Sequence, residues 1–380
     1  MKIVHVITRL YRAGAEENTI STCLGQVAEG HDVTLIHGRD FTPEHYEALS
    51  DKLRLIEVRS LIREPSPITD LKCFFELKSI FNEIKPDFVH THTSKAGFLG
   101  RLAARYSPAR HIVHGVHIVP FDGVGFAAKL LYLALEKWVA PYTEAFVHVS
   151  QGTKDMYLAK GVGSTDRHHI IHSGFDLSRF KNGQYPDDWR TLLGISENEE
   201  KPFVVLMLAA FEPRKRHLPL IDAFSTVVQN TPNVRLLLPG EGQLKEGATR
   251  RAEEIGIAEN VIIPGYRMDP ANLIALSDLC TLTSEKEGLP RVVMQYLAGN
   301  KPCIVNYVPG LEEILKDGVN GAVTAPDSVE QTCASISRTL SSPELLKKFT
   351  DGAFQSDLSD WDVKTMCTKM NELYREIENT

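Results

Sequence analysis

A chain of 380 residues exceeds what one ordinary core serves and points to two domains of under 200 residues each. Hydrophobic content of 43%, charged content of 24% and a net charge of −7 read as a soluble globular protein, and the mild acidity argues against a dedicated nucleic-acid binder. Cys23, Cys73, Cys280, Cys303, Cys333 and Cys367 are scattered with no C-x-x-C pair or zinc spacing, which fits thiols in a reducing cytoplasm better than a disulfide framework.

The first apolar run, 3–7, is followed at once by polar turn residues, so it reads as a strand and not a signal peptide. A loop, a helix from Gly14 to residue 29 and a strand over 32–36 complete the first unit of a doubly wound parallel sheet. Strands are expected over 53–58 and 88–92, with a helix over 68–84 between them that Pro86 stops. His90 and His92, two apart on a strand, face the same side. A metal needs a third ligand, and none of suitable spacing is evident, so they read as hydrogen-bonding rim residues. Thr93, Ser94, Lys95, Ala96 and Gly97 follow at the carboxyl end of the strand, where open α/β sheets bind ligands.

The next strand, 112–116, ends at His117, which is placed to donate to a hydroxyl or steady developing charge; Asp122 is the reserve. No apolar run reaches membrane-span length. The longest candidate, 124–141, is interrupted by Lys129, Glu136 and Lys137 and reads as an amphipathic, core-facing helix in preference to a membrane-surface one. A strand over 145–149 ends at Ser150, and Ser173-Gly174-Phe175-Asp176 forms a turn. The charged, polar stretch 181–201 is expected to link the domains.

The second domain opens with a strand over 202–209, as apolar as a buried parallel strand should be. Arg214, Lys215 and Arg216 then make a basic turn before a helix, the charge a departing diphosphate requires. Strands over 234–238 and 261–263 end at Gly240 and at Gly265-Tyr266-Arg267. The stretch 283–305, TSEKEGLPRVVMQYLAGNKPCIV, reads as a strand end, an acidic loop closed by Gly288-Leu289-Pro290, a helix over 291–297, a Gly299 cap and a fresh strand. Such a helix start presents unpaired N–H groups to an anion, while Glu287 just before it suits sugar hydroxyls. Gln295, about two turns into the helix, can face the same ligand.

SEKEGLPRVVMQYLAGNKPCIV resembles the signature of the retaining glycosyltransferase family four, glycosyl transferases group 1. The resemblance implies an α/β GT-B fold: two facing Rossmann-like domains with a nucleotide-sugar cleft between them. It implies an acceptor domain over 1–180, a linker over 181–201, a donor domain over 202–355 and a helix over 356–380 that crosses back. It assigns Glu287 to the donor sugar, Gln295 to the ribose where relatives carry glutamate, and Lys215 to the leaving group where the family's arginine is Ala210 and its glycine Arg216. Gly14, Arg214, Arg216, Gly240, Tyr266, Arg267, Gly288, Leu289, Pro290 and Glu313 complete the implied donor set. His117 joins Glu287 and Lys215 as catalytic, and His92, Thr93, Ser94, Lys95 and Asp122 lie on the acceptor side.

The implied reaction moves a sugar from a nucleotide diphosphate sugar, expected to carry UDP, to an acceptor hydroxyl with configuration retained, without metal or other cofactor. The acceptor is a glycan, a lipid-linked molecule or a small metabolite, and the expected place is the cytoplasm or the inner face of a membrane, with room for peripheral contact. A sugar-nucleotide 2-epimerase and a non-catalytic partner subunit are the rival readings. Asp360-Trp361-Asp362 spells a metal motif of another glycosyltransferase fold, but at the wrong place in the chain.

Overall fold

The computed structural model describes residues 1–11, 14–287 and 290–380. The chain divides into two units, 1–175 with 359–380 and 176–358.

The first unit carries β1 (Lys2–Leu10), α1 (Gly14–Ala28), β2 (Asp32–Phe41), α2 (Pro43–Ser50), β3 (Arg54–Glu57), α3 (Pro67–Ile84), β4 (Phe88–His92), α4 (Ser94–Arg105), β5 (His111–Val116), α5 (Phe126–Val139), β6 (Ala145–His148), α6 (Gln151–Ala159) and β7 (His168–Ile170). Its seven strands are all parallel in the order β3-β2-β1-β4-β5-β6-β7. Order reverses between β1 and β4, the place where open parallel sheets offer a crevice beyond their carboxyl ends. Both faces are covered, so the strands read as near-continuous apolar runs, with Ile3, Val4, Val6 and Ile7 fully buried.

The second unit holds α7 (Ser178–Lys181), α8 (Trp189–Leu193), β8 (Phe203–Leu206), α9 (His217–Asn230), β9 (Val234–Leu237), α10 (Lys245–Glu254), β10 (Val261–Ile262), α11 (Pro270–Leu276), β11 (Leu279–Leu282), α12 (Arg291–Ala298), β12 (Cys303–Asn306), β13 (Gly321–Thr324), α13 (Val329–Leu340) and α14 (Pro343–Phe354). The parallel order β10-β9-β8-β11-β12-β13 reverses between β8 and β11. This is the two-Rossmann-domain GT-B architecture.

The stretch 181–201 is not a free linker. Gln184 N–H donates to Asn272 Oδ1 at 3.2 Å, Asp188 is paired with Arg267, and Leu193 is buried with its carbonyl accepting from Arg235, so the polar composition is spent on the second unit's surface. The chain returns to the first unit through backbone bonds of Phe175 to Trp361 and Val363. Asp362 there caps α15 (Val363–Glu378), accepting from Lys364 N at 2.8 Å, which accounts for one carboxylate of the apparent metal motif. α15 then seals the sheet: Met366, Met370, Leu373 and Tyr374 join Ile3, Ile7, Val113 and Val147 in one core.

Helix α5 turns only part of its apolar surface to the core: Val139 is buried, and Tyr132 and Leu133 pack against Val116, Phe121 and Tyr157. Phe126, Leu130, Leu131 and Trp138 are all more than half exposed, and the inward side also carries Glu136, held by the fully buried Arg101 through bonds of 2.8 and 2.9 Å. A buried carboxylate must be paired, and that pairing fixes which face turns in.

Candidate functional site

In the second unit, the loops leaving β8 and β11 on either side of the switch point are stitched together. Glu285 N–H donates to the Arg214 carbonyl at 2.8 Å, and Thr283 Oγ1 to the Lys215 carbonyl at 3.0 Å. Lys215 Nζ and Arg214 Nη1 converge on the Glu287 carboxylate, the latter at 3.4 Å. Lys215 and Glu287 side chains are nearly covered, whereas Arg214 is half exposed and also binds Glu212. The predicted pair of catalytic residues, far apart in sequence, is therefore in direct contact.

Other expected donor residues sort themselves by what they already hold. Gly240 N–H donates to the Gly265 carbonyl at 2.9 Å, and a Cβ at Gly240 would lie 2.2 Å from the Ala209 carbonyl oxygen, so the ends of β8, β9 and β10 crowd together. Tyr266 is exposed. Arg267 is not a free cation: Asp188 and Asp269 each grip its guanidinium through two bonds of 2.7 to 3.0 Å. Arg216 is paired with Asp327 and adopts a left-handed φ of 57°, a conformation that favours glycine.

Pro290 caps α12, and Gly299 is kept small by Ile274, 2.4 Å from where a Cβ would sit, while Asn300 takes the left-handed turn at φ 58°. Gln295 is half-buried on α12, and Glu313 is half-buried in the turn Leu311–Glu313. Gly288 and Leu289, like Ala13 beside Gly14, lie outside the described residues; Gly14 itself begins α1 and is exposed. Sequence reading missed Ser284 and Asn306, whose buried Oγ and Oδ1 have no hydrogen-bond partner among the described residues at the ends of β11 and β12. Ser284 opens the SEKEGLP stretch without being singled out by its spacing and Asn306 carries no motif, so it is the burial that marks them.

The first unit's switch point gathers histidines. Register places His5 beside His90 and His92 beside Gly115. His5 supplies the third member that the spacing of His90 and His92 did not reveal, and their nitrogens lie within 4.8 Å of one another. His92 Nδ1 meets His117 Nε2 at 3.0 Å, so the two lie on one face. His114 faces the other way and bonds Thr91 Oγ1 at 2.9 Å. Burial lowers His5 and His117 to about 4 and His90, His92 and His114 well below their usual value, so all are neutral near pH 7.

Of the remaining acceptor-side residues, Thr93 holds a strained φ of 63° and bonds Thr8 Oγ1 at 2.8 Å, while Ser94 opens α4 and is exposed. Lys95 is taken by Asp70 at 2.5 Å and by the Glu64 carbonyl, which makes it a brace of the loop. Asp122 is exposed in the loop before α5.

Two sequence families divide the chain at nearly the same place as the two units. Residues 12–179 match the Glycosyltransferase Family 4 model and residues 191–356 the Glycosyl transferases group 1 model. The chain belongs to the group 1, family 4 glycosyltransferases. A UDP-Gal:α-D-GlcNAc-diphosphoundecaprenol α-1,3-galactosyltransferase of Escherichia coli is 24% identical over 98% of this chain and 96% of its own. Glycosyltransferase EpsD of Bacillus subtilis is 28% identical over 82% of each. The fold of this glycosyltransferase matches the crystal structure of Anabaena HepE in complex with UDP, at a TM-score of 0.83 and 20% identity over 99% of this chain and 100% of that one.

Proposed function

We propose that this glycosyltransferase moves a sugar from a UDP-sugar to an acceptor hydroxyl in glycan assembly, with retained anomeric configuration and without a metal. The observation that carries the reading is the convergence of Lys215 and Arg214 on Glu287 at the switch point of the second unit. A departing nucleoside diphosphate needs cations that are already positioned, and here two cations wait on a carboxylate beside a helix start. When the donor enters, the diphosphate takes Lys215 and Arg214, and Glu287 is released to bind sugar hydroxyls. Ser284 Oγ and Asn306 Oδ1, buried and without a partner among the described residues, offer further polar atoms to the same ligand. Gln295 binds the ribose diol through neutral hydrogen bonds, and His117 in the first unit serves the transferred sugar. The E. coli relative's name specifies a UDP donor and a lipid-linked acceptor, and the HepE structure contains UDP, which is why UDP is preferred over GDP.

Calorimetry against UDP, GDP and ADP tests this directly. UDP is expected to bind alone or best, Lys215→Ala to weaken it at least about tenfold, as loss of a charged hydrogen bond does, and Gln295→Glu to strengthen it. Silence toward every nucleotide, unrescued by Gln295→Glu, would overturn the transferase reading in favour of a non-catalytic partner.

A further inference from the structure

The histidines at the first switch point form a line with a direction. Gln26 Oε1 meets His5 Nε2 at 2.8 Å, His5 Nδ1 meets His92 Nε2 at 2.9 Å, and His92 Nδ1 meets His117 Nε2 at 3.0 Å. The His5 and His92 rings are 12° from coplanar with centroids 5.2 Å apart, as two imidazoles joined edge to edge by one in-plane bond must be. Gly115 makes the line possible, since a Cβ there would lie 2.8 Å from His92 Nδ1 and 3.3 Å from His117 Nε2.

A neutral imidazole donates from one nitrogen and accepts at the other, so each ring hands its polarity to the next. An amide oxygen can only accept. His5 therefore donates to Gln26 from Nε2 and accepts at Nδ1; His92 donates to it from Nε2 and accepts at Nδ1; His117 donates to that nitrogen from Nε2. What remains is His117 Nδ1, which bonds to nothing among the described residues and is not fully covered.

We propose that Gln26, His5 and His92 are positioning residues that fix His117 in the tautomer whose Nδ1 lone pair accepts a substrate hydroxyl. This rests on the assignment of His117 to the transfer reaction. It reverses the expectation that His117 donates. A metal on the same residues is the competing use, and the geometry disfavours it: two nitrogens 2.9 Å apart along a shared bond are closer than a tetrahedral ion with bonds of about 2.0 Å holds its ligands.

Ring ¹⁵N spectra of the full-length protein, with His117→Gln to assign the signal, read the tautomer without reference to activity. Wild type should show Nδ1 unprotonated and Nε2 protonated. Gln26→Met should mix the two forms and lower kcat about fivefold at unchanged donor KM. Circular dichroism confirms that each variant folds. A protonated Nδ1 in wild type, or a tautomer indifferent to Gln26→Met, overturns the relay, as does a tetrahedral Co(II) spectrum lost in His5→Gln. A tautomer that shifts while kcat does not leaves the relay standing and refutes instead the role of His117 in transfer.

Discussion

Arg216 carries a φ of 57° at the end of a basic turn, and a left-handed conformation costs a residue with a Cβ roughly 1–2 kcal/mol. Its compensation is an ion pair to Asp327, whose side chain is mostly exposed and so adds little. Arg216→Ala and Arg216→Gly both lose the pair, but only glycine relieves the backbone. The glycine variant should be more stable than the alanine variant by about 1 kcal/mol in urea unfolding; equal stabilities would mean the strain is absent. At this scale the sequence revealed unequal amounts. Glu287 and Lys215 were legible because each sits in a motif with fixed spacing. The engagement of Arg267 was not, because Asp188 lies 79 residues away in a stretch that composition marks as a linker. His5 was equally hidden: alone in the first strand it has no pattern, and only the register of β1 against β4 brings it to His90.

Among the elements, strands were easy to read because burial on both faces leaves uninterrupted apolar runs. Helix α5 was not, since an amphipathic pattern states that two faces differ without saying which turns inward. Glu136 decides it through Arg101, a partner on α4 that no local window contains. The outcome is an exposed line of Phe126, Leu130 and Trp138 at spacings of four and eight, with Ile118 exposed just upstream. No helix among the described residues is long and apolar enough to cross a membrane, and an exposed apolar line on a helix is the kind of surface that can lie on lipid. The wild-type protein should therefore sediment with phospholipid vesicles, and Phe126→Ser with Trp138→Ser should release it while leaving UDP binding unchanged. Equal sedimentation of both proteins would remove α5 from the acceptor argument.

Across the whole molecule, titratable groups are divided unevenly. Thirteen of the fourteen histidines fall in the first unit and only His217 in the second. Burial holds His5 and His117 at about 4 and His148 at about 3, below their unfolded value of about 6.5. As pH falls, the unfolded chain takes up these protons first. The stability due to neutral histidines is thus fully present above about pH 6.5 and is lost progressively down to about pH 4, at about 1.4 kcal/mol per pH unit for each. Glu16, whose carboxyl is pushed up by burial, works in the opposite direction but is a single group. His217 is also lowered, to about 4, so the second unit is not immune, yet it carries one such proton where the first carries several. Hydrogen exchange at pH 5 should therefore open β4 and β5 well before β8 and β11, with the order less pronounced at pH 7.5. Simultaneous opening, or earlier loss of the second unit, would mean that the histidine line is accommodated in its charged form, and the neutral chain on which the tautomer of His117 depends would fail with it.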